Sequence, residues 1–243
     1  PEAVLLNTAG GLTDGDHVEQ EVALGEGGGL VLTTQAAEKV YRARVEPATV
    51  RTRLTVGQGA TLCWLPQETI LFDAARLDRG LDVALAADAK LLLAECLVLG
   101  RTAHGEVVRT GALIDRRDIR IDGRLVLAER FRLDGDVDGL RRAPSLLGGA
   151  VALATLLVVG APDLLESLRA IEPEIGHDQV GDPVQPGTAR RMVCVELGQP
   201  LGHCLDRGVR IAVLVEEAAI ADFESHVVDA INDSVEQLLA PVP

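Results

Sequence analysis

Aromatic side chains are nearly missing from this chain: they make up 2% of 243 residues, with one Trp, one Tyr and three Phe. Sugar sites stack their ligands on aromatic rings, so this supply is poor for a carbohydrate-active protein. Basic residues are also short, 23 against 37 acidic, for a formal charge of −14. That balance repels phosphate backbones and anionic lipid and argues against nucleic acid and membrane surfaces as partners. The four cysteines, at 63, 96, 194 and 204, show no Cys-x-x-Cys spacing, and no basic-then-apolar leader stands at Pro1. Reduced thiols in a cytoplasmic protein are the expectation. The stretch Ala150 to Val159, apolar but for Thr155, is about half of the roughly 20 residues a bilayer span needs. Also missing are the Gly-x-Ser-x-Gly elbow, the Gly-x-x-x-x-Gly-Lys-Ser/Thr phosphate loop, His-Glu-x-x-His and the Gly-x-Gly-x-x-Gly dinucleotide fingerprint. The chain reads as a non-enzyme.

What is present is 47% hydrophobic residue content, enough for a chain of this length to bury roughly 70–75% of its unfolded surface. The apolar residues repeat. Val22-x-Leu24-Gly25-x-Gly27-Gly28-x-Leu30-x-Leu32 returns as Leu54-x-Val56-Gly57-x-Gly59-Ala60-x-Leu62-x-Trp64 and as Val83-x-Leu85-Ala86-x-Asp88-Ala89-x-Leu91-x-Leu93. Each unit is a period-2 strand, a small-residue turn and a second period-2 strand. A shortened fourth copy runs from Ile119 through Asp122-Gly123 to Leu127. Such units bury a shared face only against their neighbours, which predicts a mainly β, two-layer, β-helix-like solenoid with a few helices. One domain spans 1–243, with repeat-bearing β layers over 1–160. Residues 161–243 of the same domain hold a short helix from Pro162, strands at Met192–Leu197 and Val209–Val215, and a C-terminal amphipathic helix.

In the stretch Trp64-Leu65-Pro66-Gln67-Glu68-Thr69-Ile70, Pro66 cannot donate to a strand ladder, so Gln67 and Glu68 fall at a bend between two apolar runs. Two further repeats carry a Glu just past the second strand, Glu95 and Glu129, and stacking in register would line these carboxylates along one row. They are either exposed strand ends or buried groups needing partners, for which Arg101, Arg116 and Arg130 are available. Asp14, Asp16 and His17 cluster in a glycine-rich loop that offers metal ligands or, as Asp-Gly sequences commonly do, only a turn. Asp134-Gly135-Asp136-Val137-Asp138-Gly139 reads as an acidic turn. The neighbours His203 and Cys204 are two ligands without a third. Between Ala218 and Ala240, Ile220, Phe223, Val227, Ile231, Val235 and Leu238 form one apolar helical stripe.

Four ordered motifs carry a resemblance: Leu32-Thr33-Thr34-Gln35-Ala36 running into Lys39-Val40-Tyr41-Arg42, Trp64 to Ile70, Leu99-Gly100-Arg101-Thr102-Ala103 closing with Gly105-Glu106, and Arg124-Leu125-Val126-Leu127-Ala128-Glu129-Arg130. With Gly10-Gly11 and Gly15-Asp16 they resemble the urease accessory proteins called UreD or UreH, over roughly residues 3–160. The resemblance implies a β-helix-like fold and a non-catalytic role in urease maturation. It implies contact with urease subunits, UreF and, through UreF, the GTPase UreG, with nickel passing transiently through the β layer. On that reading Asp16, Glu68, Glu95 and Glu129 are candidate nickel-transit carboxylates, and Phe223, Val227 and Ile231 are candidate partner contacts. No tightly bound cofactor is implied. The alternatives are a β-solenoid carbohydrate-active enzyme using paired carboxylates, and a structural β-solenoid adaptor.

Overall fold

The computed structural model describes residues 1–101, 104–161, 191–196 and 208–215. Two sheets face each other, and the chain winds between them. One sheet holds β2 (His17–Leu24), β5 (Ala48–Val56), β8 (Arg76–Leu85), β10 (Thr110–Ile121) and β11 (Arg124–Asp136). The other holds β1 (Glu2–Leu5), β3 (Gly29–Thr34), β6 (Thr61–Leu65), β9 (Lys90–Leu99), β12 (Ala152–Val159), β13 (Arg191–Glu196) and β14 (Gly208–Val215). Two short strands of that second sheet, β4 (Glu38–Val40) and β7 (Thr69–Leu71), follow β3 and β6 after a break. The result is a mainly β solenoid of about three turns with, among the described residues, one helix, α1 (Val137–Arg142).

The sequence repeat is the coil. Val22 pairs with Leu54 and Leu54 with Val83 in one sheet, while Leu30, Leu62 and Leu91 stack in the other, all in parallel. Each copy therefore lies one strand spacing above the last. The alternate residues Leu54, Val56, Leu62, Trp64, Val83, Leu85, Leu91 and Leu93 point between the sheets and form a buried core. Burying each large aliphatic side chain contributes about 1.5–3 kcal/mol. The other face of the second sheet is apolar as well, with Cys63, Leu92, Val158 and Ala161 packed together. A strand apolar on both faces loses its alternation, which is why Leu91 to Leu99 reads as a run broken only by Glu95.

The fourth repeat departs from this pattern for a reason visible in its turn. In the first three copies four residues separate the paired strands, as Gly57 to Ala60 do between β5 and β6, and the chain crosses to the opposite sheet. Ile119 and Ile121 still stack on Val83 and Leu85. Asp122 and Gly123 then form a two-residue turn with positive φ at both positions, 48° and 72°. That is a hairpin turn. It sends Leu125 and Leu127 back along β10 in the same sheet instead of across.

The acidic segment 134–139 is not a turn. β11 runs through Asp136, whose carboxylate caps α1 by accepting from the Gly139 N–H at 3.0 Å. The apolar run from Ala150 resolves as a strand, since β12 lies antiparallel along the free edge of β9 and places Thr155 opposite Glu95. The two strands expected near Met192 and Val209 are β13 and β14, which extend the same sheet beyond β12. The expected helices at 162–169 and 218–240 and the His203-Cys204 pair lie outside the described residues.

Candidate functional site: a charged cavity between the sheets

β9 is continuous, but its neighbour is not. β6 pairs with residues 90–93 and β7 with 97–99, so Ala94, Glu95 and Cys96 face the bend that Pro66 forces. The coil below breaks at the same level, between Thr34 and Glu38. The two bends are tied by the Gln67 N–H donating to Thr34 Oγ1 at 2.9 Å and the Glu38 N–H donating to the Glu68 carbonyl at 2.9 Å. Behind them the sheets enclose a cavity of about 80 Å³. Its polar wall is Gln20, Thr52, Thr69, Arg79, Glu95 and Asp115, and it reaches solvent beside Thr34, Glu38 and the exposed Gln67.

The charges there are cross-linked. Arg117 Nε and Nη2 hold Glu95 Oε2 at 2.8 and 2.7 Å, Nη2 also meets Asp115 Oδ2 at 3.1 Å, and Nη1 donates to Glu129 Oε2 at 3.1 Å. Arg79 Nη2 donates to Asp115 Oδ2 at 2.8 Å and lies 4.0 Å from Glu95 Oε2, while its Nη1 donates to Thr69 Oγ1 at 3.3 Å. The Trp64 indole N–H donates to Glu95 Oε1 at 3.2 Å. Asp115 and Arg117 have side chains only 3% and 5% exposed. Burial pushes the Glu95 and Asp115 carboxyls up, but the two guanidiniums outweigh it and hold both below the usual carboxylate range. Burial likewise opposes the charge on Arg79 and Arg117, and the carboxylates overcome it, keeping both cations charged. At the mouth, burial raises Glu38, with the Asn7 amide at 3.0 Å partly opposing it.

Of the carboxylates singled out in the sequence, Glu95 and Glu129 meet on Arg117. Glu129 arrives from the returning strand β11 rather than from a stacked second-sheet strand. The Glu68 side chain is half-buried and stands apart from the cavity wall. Asp16 closes its own loop by accepting from the Thr13 N–H at 2.8 Å. The arginines named as partners serve elsewhere. Arg101 pairs with Glu106 at 2.8 Å and covers the Phe72 ring at 4.1 Å, Arg116 pairs with Asp78, and Arg130 with Asp118 at 2.6 Å. Arg79, Asp115 and Arg117 were missed although strand parity marks them. Leu77, Arg79, Leu81 and Val83, like Leu113, Asp115, Arg117 and Ile119, share one inward face.

Among the described residues no three His, Cys, Asp or Glu side chains are placed to hold a metal together. Trp64 is 4% exposed and offers no ring face to a sugar. Among them, too, no helix is long and apolar enough to cross a membrane. Fold and site thus define a β-solenoid whose charged groups brace an interior cavity, a scaffold built around a lined internal space.

The family described as UreD urease accessory protein matches residues 1–199. Urease accessory protein UreD 3 of Bradyrhizobium sp. (strain BTAi1) is 51% identical over 195 residues, covering 80% of this chain and 70% of that protein. UreD of Rhodopseudomonas palustris (strain HaA2) is 45% identical with the same coverage. UreD 1 of Brucella abortus biovar 1 (strain 9-941) is 48% identical over 208 residues, covering 85% and 73%. The chain belongs to the UreD family of urease accessory proteins, and its role is in urease maturation.

Proposed function

We propose that this chain is a non-catalytic scaffold of cytoplasmic urease maturation that holds urease subunits together with UreF and, through it, UreG, while nickel moves through its β layer toward the urease active site. The observation that carries this reading is the cavity between the sheets, which opens beside Gln67 and has Glu95 and Asp115 in its wall. Nickel accepts oxygen ligands, and a site with few of them releases it readily. Of the four transit carboxylates, Asp16, Glu68, Glu95 and Glu129, Glu95 alone lines that cavity, so the reading rests first on it. Glu129 acts through Arg117. Glu68 and Asp16 are secondary stations on the outside of the layer.

The test is urease activation in cells co-expressing the urease subunits, UreF and UreG under limiting nickel. Glu95→Gln is expected to lower activation several-fold while pull-down of UreF and urease stays intact, and excess nickel should restore activity. Activation equal to wild type at every nickel level would remove the transit role. The apolar stripe with Phe223, Val227 and Ile231 is the proposed contact for UreF. Phe223→Glu is expected to abolish UreF pull-down without loss of thermal stability, and an unstable protein would instead place the stripe in this chain's own core.

A further inference from the structure

Arg79 is bound differently from Arg117. Arg117 spends its guanidinium on three carboxylates at 2.7–3.1 Å and stands outside the cavity wall. Arg79 is in the wall, and its guanidinium lies between the two carboxylates that share it, 2.8 Å from Asp115 and 4.0 Å from Glu95. Its Nε–H is buried and has no partner. An unmet donor on a buried cation is a cost that Arg117 does not carry, so this arginine is held less completely than its neighbour. The alternative positions are close at hand: Thr69 already takes its Nη1, and the cavity beside it is walled by the side chains of Gln20 and Thr52.

We infer that Arg79 is an electrostatic gate: in its observed position it occupies the faces of Glu95 and Asp115 that a divalent cation in the cavity would need, and a cation binds there only by displacing it. The inference rests on the transit reading above and adds the residue that regulates it. With Arg79 in place, three carboxylates face two guanidiniums and one negative charge is left over. Withdrawing Arg79 leaves two, next to a space that Arg117 does not enter. Arg117, held by all three carboxylates, stays behind and keeps them apart after Arg79 moves. The gate therefore sets affinity low enough for release without changing the ligands.

The full chain is titrated with Ni²⁺ by calorimetry. Arg79→Gln is expected to bind at least tenfold more tightly than wild type, and adding Glu95→Gln should remove the gain. Because Arg79→Gln strands buried carboxylates, the second variant is Arg79→Gln with Glu129→Gln, a carboxylate held by Arg117 outside the cavity wall. It loses one charge of each sign, keeps the cluster's single excess negative charge, and is also expected to bind more tightly than wild type. Arg79→Lys keeps a cation in the wall and should stay within about twofold of wild type. Unchanged affinity in the double variant, or a tenfold gain in Arg79→Lys, would overturn the gate. Failure of the transit reading looks different: there Glu95→Gln leaves urease activation under limiting nickel untouched, whatever Arg79 does to Ni²⁺ affinity.

Discussion

At the scale of single residues, the cavity wall depends on charges that cannot stand alone. Removing Glu95 takes from Arg117 its two shortest contacts and leaves the buried Trp64 N–H unmet, and breaking such a buried pair costs about 3–5 kcal/mol. Glu95→Ala is therefore expected to lower urea-unfolding stability by that order, and Glu95→Gln by less, since an amide still accepts the Trp64 N–H at Oε1 and still packs. The pH dependence follows from direction alone. Glu95 and Asp115 have folded-state pKa values below their unfolded ones, so their stabilisation is complete above the ordinary carboxylate values of about 4 and is lost as pH falls through the folded values. Stability measured from pH 7 down to 3 should hold to about pH 5 and then fall, and the fall should be shallower in an Asp115→Asn, Arg79→Gln background. A stability independent of pH across that range would mean the ion pairs contribute nothing. Cys63, fully buried and with its thiol pushed up to about 11 by that burial, should resist a thiol reagent in the folded protein and react once it unfolds.

At the scale of elements, the coil was legible in the sequence because the same physical demand repeats: Val22, Leu54 and Val83 recur at the coil length and then stack on one another. The β layers, their Gly turns and the bend at Pro66 follow from that pattern. Two things did not. The return of β11 depended on turn length, two residues rather than four, which matters more than the apolar match of Leu125 and Leu127 to the earlier copies. The charged cluster depended on cross-sheet distances: Glu95 and Arg117 are 22 residues apart and meet only because their strands belong to opposite sheets. Parity identifies Arg79, Asp115 and Arg117 as inward, yet three inward charges look improbable until their mutual pairing is seen. The backbone is equally exacting at one turn. Gly11 has φ of 144°, and a Cβ there would lie 2.6 Å from the Lys39 carbonyl and 2.5 Å from the Tyr41 ring. Gly11→Ala should cost about 2–3 kcal/mol, through strain and displacement of Tyr41, read as a lower thermal midpoint. Leu62→Ala, by contrast, acts through packing alone and should cost about 2–5 kcal/mol.

At the scale of the whole molecule, a scaffold with a charge of −14 presents its acidic balance to solvent while the cavity keeps a local balance close to neutral. The two levels differ in kind: the outer charge repels anionic surfaces, and on the transit reading proposed above the inner charge sets which cations the interior space admits. The claim on which the rest depends is that a cation entering the cavity meets Glu95. Trp64 reports this directly, because it is the only tryptophan and its indole N–H is hydrogen-bonded to Glu95. Ni²⁺ titrated into the full chain should quench Trp64 fluorescence saturably, with Mg²⁺ at the same ionic strength giving no such quench, and Glu95→Gln should abolish the saturable part. Quenching with the same concentration dependence in wild type and Glu95→Gln would contradict the claim, since the cation would then reach Trp64 without using the carboxylate beside it.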